Sequence, residues 1–393
     1  MLKKINPEIV CFGGEDWWYH NRGHIDFQLM RRFAAKEKVL YVNSIVMQKP
    51  KLSQGKNFLK KLIRKSKSIM NGLQKTEAGF YVFSPFSLPL HHIKEARKLN
   101  DFLVGLQTVL ACAKLNLNNP LVWVACPAAA NIAINMNKSG LVYQRTDKFE
   151  EFPNTDSSII KEYDLKLKKN ADITFFVNKN LYNAESGECK KAVLIDHGVD
   201  FDNFALAEKS EHIPEDIKNI QKPIVGFFGG IDSHTFDMDL VNKTVEAAKN
   251  LSFVFIGKCS IDCRRLSSMP NVKMIGQKPY EQIPHYGKHF DAAIMPWKAN
   301  QWIENCNPIK LKEYLSLGKP VVSMPFSELN KYRDVVYIAE NPAEFHSMIN
   351  KALSENNNEL IEARKAKVRN CTWDNQAQRI IQILNQNMKS AYA

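Results

Sequence analysis

Short apolar runs that end in glycine or a polar turn recur along this chain, each handing over to a stretch of helical periodicity. EIVCFGG (8–14) leads through a polar, aromatic loop to HIDFQLMRRFAA (24–35), where Ile25, Leu29, Met30 and Phe33 fall on one helical face, and then to KVLYVNS (38–44). That order is a βαβ unit, and parallel strands need such a crossover. PLVWVA (120–125), ADITFFVN (171–178), PIVGFF (223–228), LSFVFIG (251–257) and FDAAIMP (290–296) repeat the theme. Strands apolar throughout, not alternating, belong to sheets covered on both faces. With 393 residues, two α/β domains are expected. The charged stretch 208–222, bounded by Pro214 and Pro223, reads as a linker between an N-terminal domain (1–207) and a C-terminal one (223–372), with a last helical segment at 373–393.

Composition narrows the class. The 45% hydrophobic and 24% charged content is that of a globular protein, and no apolar run reaches bilayer length. Met1-Leu2-Lys3-Lys4 runs through Ile5-Asn6-Pro7-Glu8 into a strand and not into a signal-peptide core, so a cytoplasmic protein is expected. The eight cysteines show no disulfide-framework spacing. Cys11, Cys112 and Cys126 sit in apolar runs as buried thiols, and Cys259 and Cys263 lack a second pair, so no metal site is expected.

The net charge of +13 calls for an anionic partner. No nucleic-acid-binding signature is present, and none is expected to bind. Residues 49–75 hold Lys49, Lys51, Lys56, Lys60, Lys61, Arg64, Lys65, Lys67 and Lys75 with no acidic residue, and Phe58, Leu59, Leu62, Ile63, Ile69, Met70 and Leu73 recur between them. Such a basic amphipathic helix suits an anionic membrane surface on the cytoplasmic side; a solvated helix packed on its domain is the other reading.

The stretch NCNPIKLKEYLSLGKPVVS (305–323) is the most specific. A turn with Asn307-Pro308 opens a short helix with Ile309, Leu311, Tyr314 and Leu315 inward, Gly318 ends it as a C′ glycine, and Val321-Val322 begin a strand. This pattern resembles the donor-binding segment of GT-B glycosyltransferases, the retaining GT4-like group in particular. The resemblance implies an α/β chain of two Rossmann-like domains facing a cleft, with a C-terminal helix crossing back to the first domain. It also implies that Glu313 binds the ribose hydroxyls of a nucleotide sugar, and that Pro308, Ile309 and Lys310 cradle its diphosphate and sugar. A carboxylate can accept from two vicinal hydroxyls, and a helix N-terminus suits a diphosphate. Read without the family, Glu313 and Lys310 are solvated helix residues.

The same resemblance assigns further positions. The glycine loop Gly229-Gly230 after PIVGFF would approach the pyrophosphate, and Gly276 with Tyr280 would border the base, although Tyr280 also fits a helix-entry staple. Relatives carry an Arg and a Lys after this loop. Here Asp232, Ser233, His234 and Asp237 follow, which shifts phosphate binding to Lys258, Lys310 or Lys298. The family's two glutamates, with seven residues between them, become Asn305 and Glu313, so Asn305 or Asn307 would contact the sugar. Asp147, after a strand ending in tyrosine, would orient the acceptor or a catalytic group, or else cap a turn. On the acceptor side stand Gly13, Gly14, Trp18, Arg22 and His24, with Trp17 and Tyr19 nearby; an aromatic plug over the sheet edge is the other reading. His197-Gly198-Val199-Asp200 matches the family's Asn-Gly-Val-Asp with His197 for asparagine, and His197 is placed with the acceptor residues.

The resulting expectation is a glycosyltransferase moving a sugar from a nucleotide-diphosphate sugar to a saccharide or lipid-linked saccharide in cell-surface polysaccharide or glycolipid synthesis. Retention of configuration and no obligatory metal or cofactor are implied. The alternatives are a nucleotide-sugar epimerase on this fold, or a non-catalytic membrane- or nucleic-acid-binding protein on a degenerate scaffold.

Overall fold

The computed structural model describes residues 8–19, 22–45, 55–88, 90, 93–153, 155–355 and 357–388, with backbone alone for 55–62. Two units form, one from Met1–Asp196 with Gln376–Ala393 and the other from His197–Asn375.

In the first unit, β1 (Ile9–Phe12), β2 (Val39–Val42), β3 (Leu73–Lys75), β4 (Tyr81–Phe83), β5 (Leu121–Val124), β6 (Gly140–Arg145), β7 (Ile173–Phe176) and β8 (Ala192–Leu194) form one sheet in the order β3-β4-β2-β1-β5-β6-β7-β8. Every pairing is parallel except β3 with β4. The crossovers are α1 (Ile25–Phe33), α2 (Gly55–Met70), α3 (Lys94–Lys114), α4 (Ala130–Asn135), α5 (Ser157–Asn170) and α6 (Lys179–Glu185). Helices on both faces leave β1, β2, β5 and β7 wholly buried, which their unbroken apolar sequences require.

The basic helix is shorter than the 49–75 expected. Asn71 and Gly72 close its last turn onto Lys67 and Ile69, Gly72 takes φ +62°, and Leu73–Lys75 leaves as a strand. Lys49 and Lys51 lie outside the described residues. The helix is pinned by Ser68, whose buried hydroxyl lies 2.8 Å from Asp16 and 2.6 Å from Ser84.

In the second unit, β9 (Ile224–Phe228), β10 (Ser252–Ile256), β11 (Val272–Gly276), β12 (Ala292–Met295), β13 (Val321–Ser323) and β14 (Tyr337–Ile338) form a fully parallel sheet in the order β11-β10-β9-β12-β13-β14. Counted within the unit this is 3-2-1-4-5-6, the doubly wound order whose switch point lies between its first and fourth strands. Its helices are α7 (Phe201–Lys209), α8 (Met238–Ala247), α9 (Arg264–Ser267), α10 (Ile283–Gly287), α11 (Gln301–Glu304), α12 (Ile309–Ser316), α13 (Pro342–Leu353) and α14 (Asn358–Arg369).

The division falls ahead of the stretch read as a linker. Phe201 and Phe204 of α7 enter the second core, Phe204 beside Phe228 and Tyr280. Within 208–222, Asp216 accepts from Tyr286 at 2.8 Å and pairs with Lys278 at 2.6 Å, so these residues are tied to the unit instead of spanning freely. Segment 197–200 pairs with 371–373, and Trp373, fully buried, lies against Gly198 where a Cβ would collide with its ring. The glycine of His-Gly-Val-Asp is thus a seat for the tryptophan.

The last helix, α15 (Trp373–Asn387), starts in the second unit, and from Gln376 onward it counts with the first. There Arg379 donates to the Leu194 carbonyl at 3.2 Å and Met388 packs on Gly140. Cys259 and Cys263 are joined in a disulfide that their spacing did not suggest. Among the described residues no helix is long and apolar enough to cross a membrane.

Candidate active site

Three neighbouring strands of the second unit end in glycines with positive φ: Gly229 (+145°) after β9, Gly257 (+148°) after β10 and Gly276 (+80°) closing β11. They interlock. Gly229 donates to Ile256 at 2.8 Å, Gly257 to Gly276 at 2.9 Å, and a Cβ on Gly257 would collide with the Gly229 carbonyl. Glycine is required here because side chains resist this backbone and would fill the space. The result is a low rim at the strand ends, beside the switch point between β9 and β12.

Helix α12 is locked to that rim. The Tyr314 ring packs tilted against Phe228 with centroids 4.2 Å apart, and its hydroxyl accepts the Phe228 N–H at 2.9 Å. At its C-terminus Gly318 (φ +66°) donates to Leu315 and Lys319 to Tyr314, the paired bonds of a Schellman turn. At its start Pro308 occupies the capping position, and no side chain caps the first-turn N–H groups. Those groups therefore stay available to an anion.

The helix buries more than the four inward residues its periodicity marks. Lys312 and Glu313 are 1% and 6% exposed. Lys312 donates to the His197 carbonyl at 3.0 Å and the Asn307 Oδ1 at 3.3 Å. The Glu313 carboxyl is pushed up to about 7 by burial, and the charge of Asp200 works in the same direction, while the Tyr280 hydroxyl and Lys310 oppose it. Lys310 sits against Gly229, its Nζ 5.0 Å from the Phe227 ring centre and 5.2 Å from that of Trp297. Burial lowers its pKa, and Cys306, Asp232 and Glu313 pull it back. Among the described residues no carboxylate lies within ion-pair distance of it. A half-buried cation held in no direct ion pair, at a glycine rim beside open N–H groups, is chemistry suited to a phosphate.

The structure separates the other donor-side residues. Gly230 and Lys258 are exposed at the rim, while at the start of α12 Pro308 is buried and Ile309 half-buried. Tyr280 is buried beside Glu313, so it meets the carboxylate in addition to any base. Asn305 turns its amide back to Gln301 at 2.7 Å, Asn307 is buried against Lys312, and Glu304 binds Ser327. None of the three is presented as a free group to a sugar. After β9, Asp232 accepts from the N–H groups of His234 and Thr235, both at 2.8 Å, and Lys298 donates to Ser233 at 3.0 Å. The loop thus closes on itself, and Lys298 is held by it. His197, grouped by sequence with the acceptor side, is instead buried in the second unit, its ring 6.0 Å from Trp373. Gly257 and Lys312 were not singled out by sequence; a glycine closing the strand next to Gly229 was the available signal for the first.

In the first unit, Gly13 and Gly14 follow β1, next to β5, where the strand order also reverses. Asp26, fully buried, organises this end. It accepts from Gly14 N–H at 2.7 Å, Phe27 N–H at 2.9 Å and the Tyr41 hydroxyl at 2.8 Å, and pairs with His24 Nδ1 at 2.5 Å. Burial alone would lower the His24 pKa, but Asp26 outweighs it, Glu15 and Asp147 add to it, and the ring is pushed up to about 9. His24 and Asp147 are therefore electrostatic neighbours. Arg22 lies 4.5 Å over the Trp17 ring, which is buried between Phe27 and Phe80. Trp18 stays half-buried, its backbone N–H on Asp16 at 3.0 Å. Asp26 was missed by sequence because its partners lie on three different segments. Among the described residues no group of three or more His, Cys, Asp or Glu is placed to hold a metal ion.

No family model matches the chain. In sequence it is 22% identical over 286 residues, 67% of this chain and 72% of the other, to the Bacillus subtilis (strain 168) protein TuaH, named for a glycosyltransferase role in teichuronic acid biosynthesis. In structure it is similar to sucrose-phosphate synthase from Thermosynechococcus elongatus, with TM-score 0.69 and 14% identity, covering 98% of this chain and 100% of that one. Anabaena HepE in complex with UDP and glucose gives TM-score 0.67 at 12% identity over 97% and 100% of the two chains. The α,α-trehalose 6-phosphate synthase from Burkholderia multivorans gives 0.67 at 12% over 98% and 100%. Two doubly wound, largely parallel sheets and the likeness to these solved structures give the chain the GT-B fold.

Proposed function

We propose that the chain transfers a sugar from a nucleoside-diphosphate sugar, held on its second unit, to a hydroxyl of a saccharide or lipid-linked saccharide in cell-surface polysaccharide or glycolipid synthesis, with retention of configuration. The observation that carries this reading is the pairing on one helix of a buried carboxylate, Glu313, with Lys310 at the glycine rim. Glu313 accepts from the ribose hydroxyls. Lys310 and the first-turn N–H groups of α12 take the diphosphate and stabilise the charge that grows on it as the bond to the sugar breaks. His24, held cationic by Asp26, and Asp147 serve the acceptor side. No pair of carboxylates is assigned as acid and base. HepE is a structural neighbour bound to UDP and glucose, which makes UDP-glucose the first donor to try.

The experiment is incubation of the purified chain with sugar nucleotides and a panel of saccharide and polyprenyl-linked acceptors, reading nucleoside diphosphate release and the anomeric coupling of the product. Release that depends on acceptor, with the donor's configuration preserved, is expected. A free sugar nucleotide with one inverted centre would point to an epimerase instead.

Donor binding should depend on pH through Glu313. Its carboxyl titrates at about 7, and only the ionised form accepts from both hydroxyls. UDP-glucose carries no group of its own that titrates between about pH 5.5 and pH 8.5. Its Kd should therefore fall roughly tenfold from about pH 6 to pH 8, and Glu313→Gln should flatten the profile in a calorimetric titration.

A further inference from the structure

Helix α3 has an apolar face that the first unit leaves uncovered. Leu99, Phe102, Leu106, Val109 and Leu110 are exposed at helical spacing, Phe102 by 65% and Leu110 by 61%. The opposite side, including Val104, Thr108, Ala111 and Cys112, is buried. From Phe102 to Ala113 the helix holds no charged residue.

The segment beside α3 extends this face. Phe86 exchanges two 2.9 Å hydrogen bonds with the Gln107 side chain, and Leu88 exchanges two with Asn100 at 2.7 and 2.9 Å. Phe86, Leu90 and Ile93 are themselves exposed, so this one region holds eight of the fifteen large apolar side chains exposed among the described residues. A concentration of that kind marks an interaction surface.

Charge decides what it fits. Ser84, two residues before Phe86, contacts Ser68 of α2 at 2.6 Å, so the basic helix borders the apolar face. Between Gly55 and Met70, α2 carries six Lys and Arg and no acidic residue, and its Ile63 and Met70 are exposed by 46% and 83%. A second copy docked on this face would set positive charge beside positive charge. An anionic bilayer satisfies both parts, since acyl chains accept Phe and Leu while headgroup phosphates attract the lysines.

We propose that α3, with Phe86, Leu90 and Ile93, is the apolar half of a docking surface for an anionic lipid bilayer whose basic half is α2. The proposal deepens the lipid-linked acceptor reading. It is separable from donor binding, which concerns the second unit alone.

The test is co-sedimentation of the full chain with vesicles of phosphatidylcholine, with or without about 30% phosphatidylglycerol. Wild type is expected with the anionic vesicles and not with the neutral ones. Phe102→Ser with Leu110→Ser should cut the bound fraction by at least roughly tenfold, and Arg64→Gln with Lys67→Gln by several-fold. Both variants replace exposed side chains, so circular dichroism and UDP-glucose affinity should match wild type. Wild type that ignores anionic vesicles, or a serine variant that binds them as well as wild type, would overturn the proposal. So would a wild-type dimer in sedimentation equilibrium that the serine variant dissociates, because a second copy would then cover the face.

Discussion

Glu313→Ala is expected to weaken nucleotide-sugar binding by roughly two orders of magnitude or more, while the protein folds as well as before or better. Each hydrogen bond to a charged group contributes about 1.5–3 kcal/mol, and the substitution removes the acceptor of two. The stability side follows from linkage. Burial raises the folded-state pKa to about 7 from an ordinary value of 4.5, so the folded chain binds a proton that the unfolded chain has released between those values. Stability contributed by this group is full below about pH 4.5, falls as pH rises to about 7, and is lower by about 3 kcal/mol beyond it. Removing the carboxyl removes that cost, less the loss of packing. Titration calorimetry for affinity and melting curves at about pH 6 and pH 8 read the two effects separately, and the melting advantage of Glu313→Gln should be larger at pH 8. A residue that burdens the fold and serves binding is typical of a functional site.

Gly257→Ala is expected to have the largest effect on folding. Gly257 combines φ +148° with a Cβ position blocked by the Gly229 carbonyl, which belongs to a backbone tethered to Ile256. A rigid neighbour cannot yield as a flexible side-chain tip can, so strain and displacement add to a loss of about 3 kcal/mol or more. Gly276→Ala is the control: its φ is +80°, but nothing lies within 4 Å of its Cβ position. Only the backbone term applies there, about 1 kcal/mol. Scanning calorimetry should show the melting of the second unit shifted far more by the first substitution than by the second.

Much of this was written in local sequence. The unbroken apolar runs gave the parallel strands, Gly318 the end of α12, and Gly229-Gly230 the start of the rim. These depend on backbone conformation and periodicity, which act within a few residues. What escaped depends on distant partners. Lys312 reads as a surface lysine until the carbonyl of His197, 115 residues away, is brought to it. Asp26 looks like a first-turn acidic residue until Gly14, His24 and Tyr41 converge on it. His197 was grouped with the acceptor side by its neighbours in sequence, and the pairing of 197–200 with 371–373 buries it in the second unit. The strand after α2 was hidden because Leu73 continues the helical spacing beyond a glycine that ends the helix.

The most direct test of the central claim, that the rim and α12 bind a nucleoside-diphosphate sugar, is a thermal-shift panel of UDP-, GDP-, ADP- and TDP-sugars against wild type and Glu313→Ala. A ligand that binds only the folded state raises its melting temperature by mass action. A rise selective for one nucleotide is expected in wild type, and no rise in Glu313→Ala. No shift with any sugar nucleotide, or an equal shift in both proteins, would contradict it.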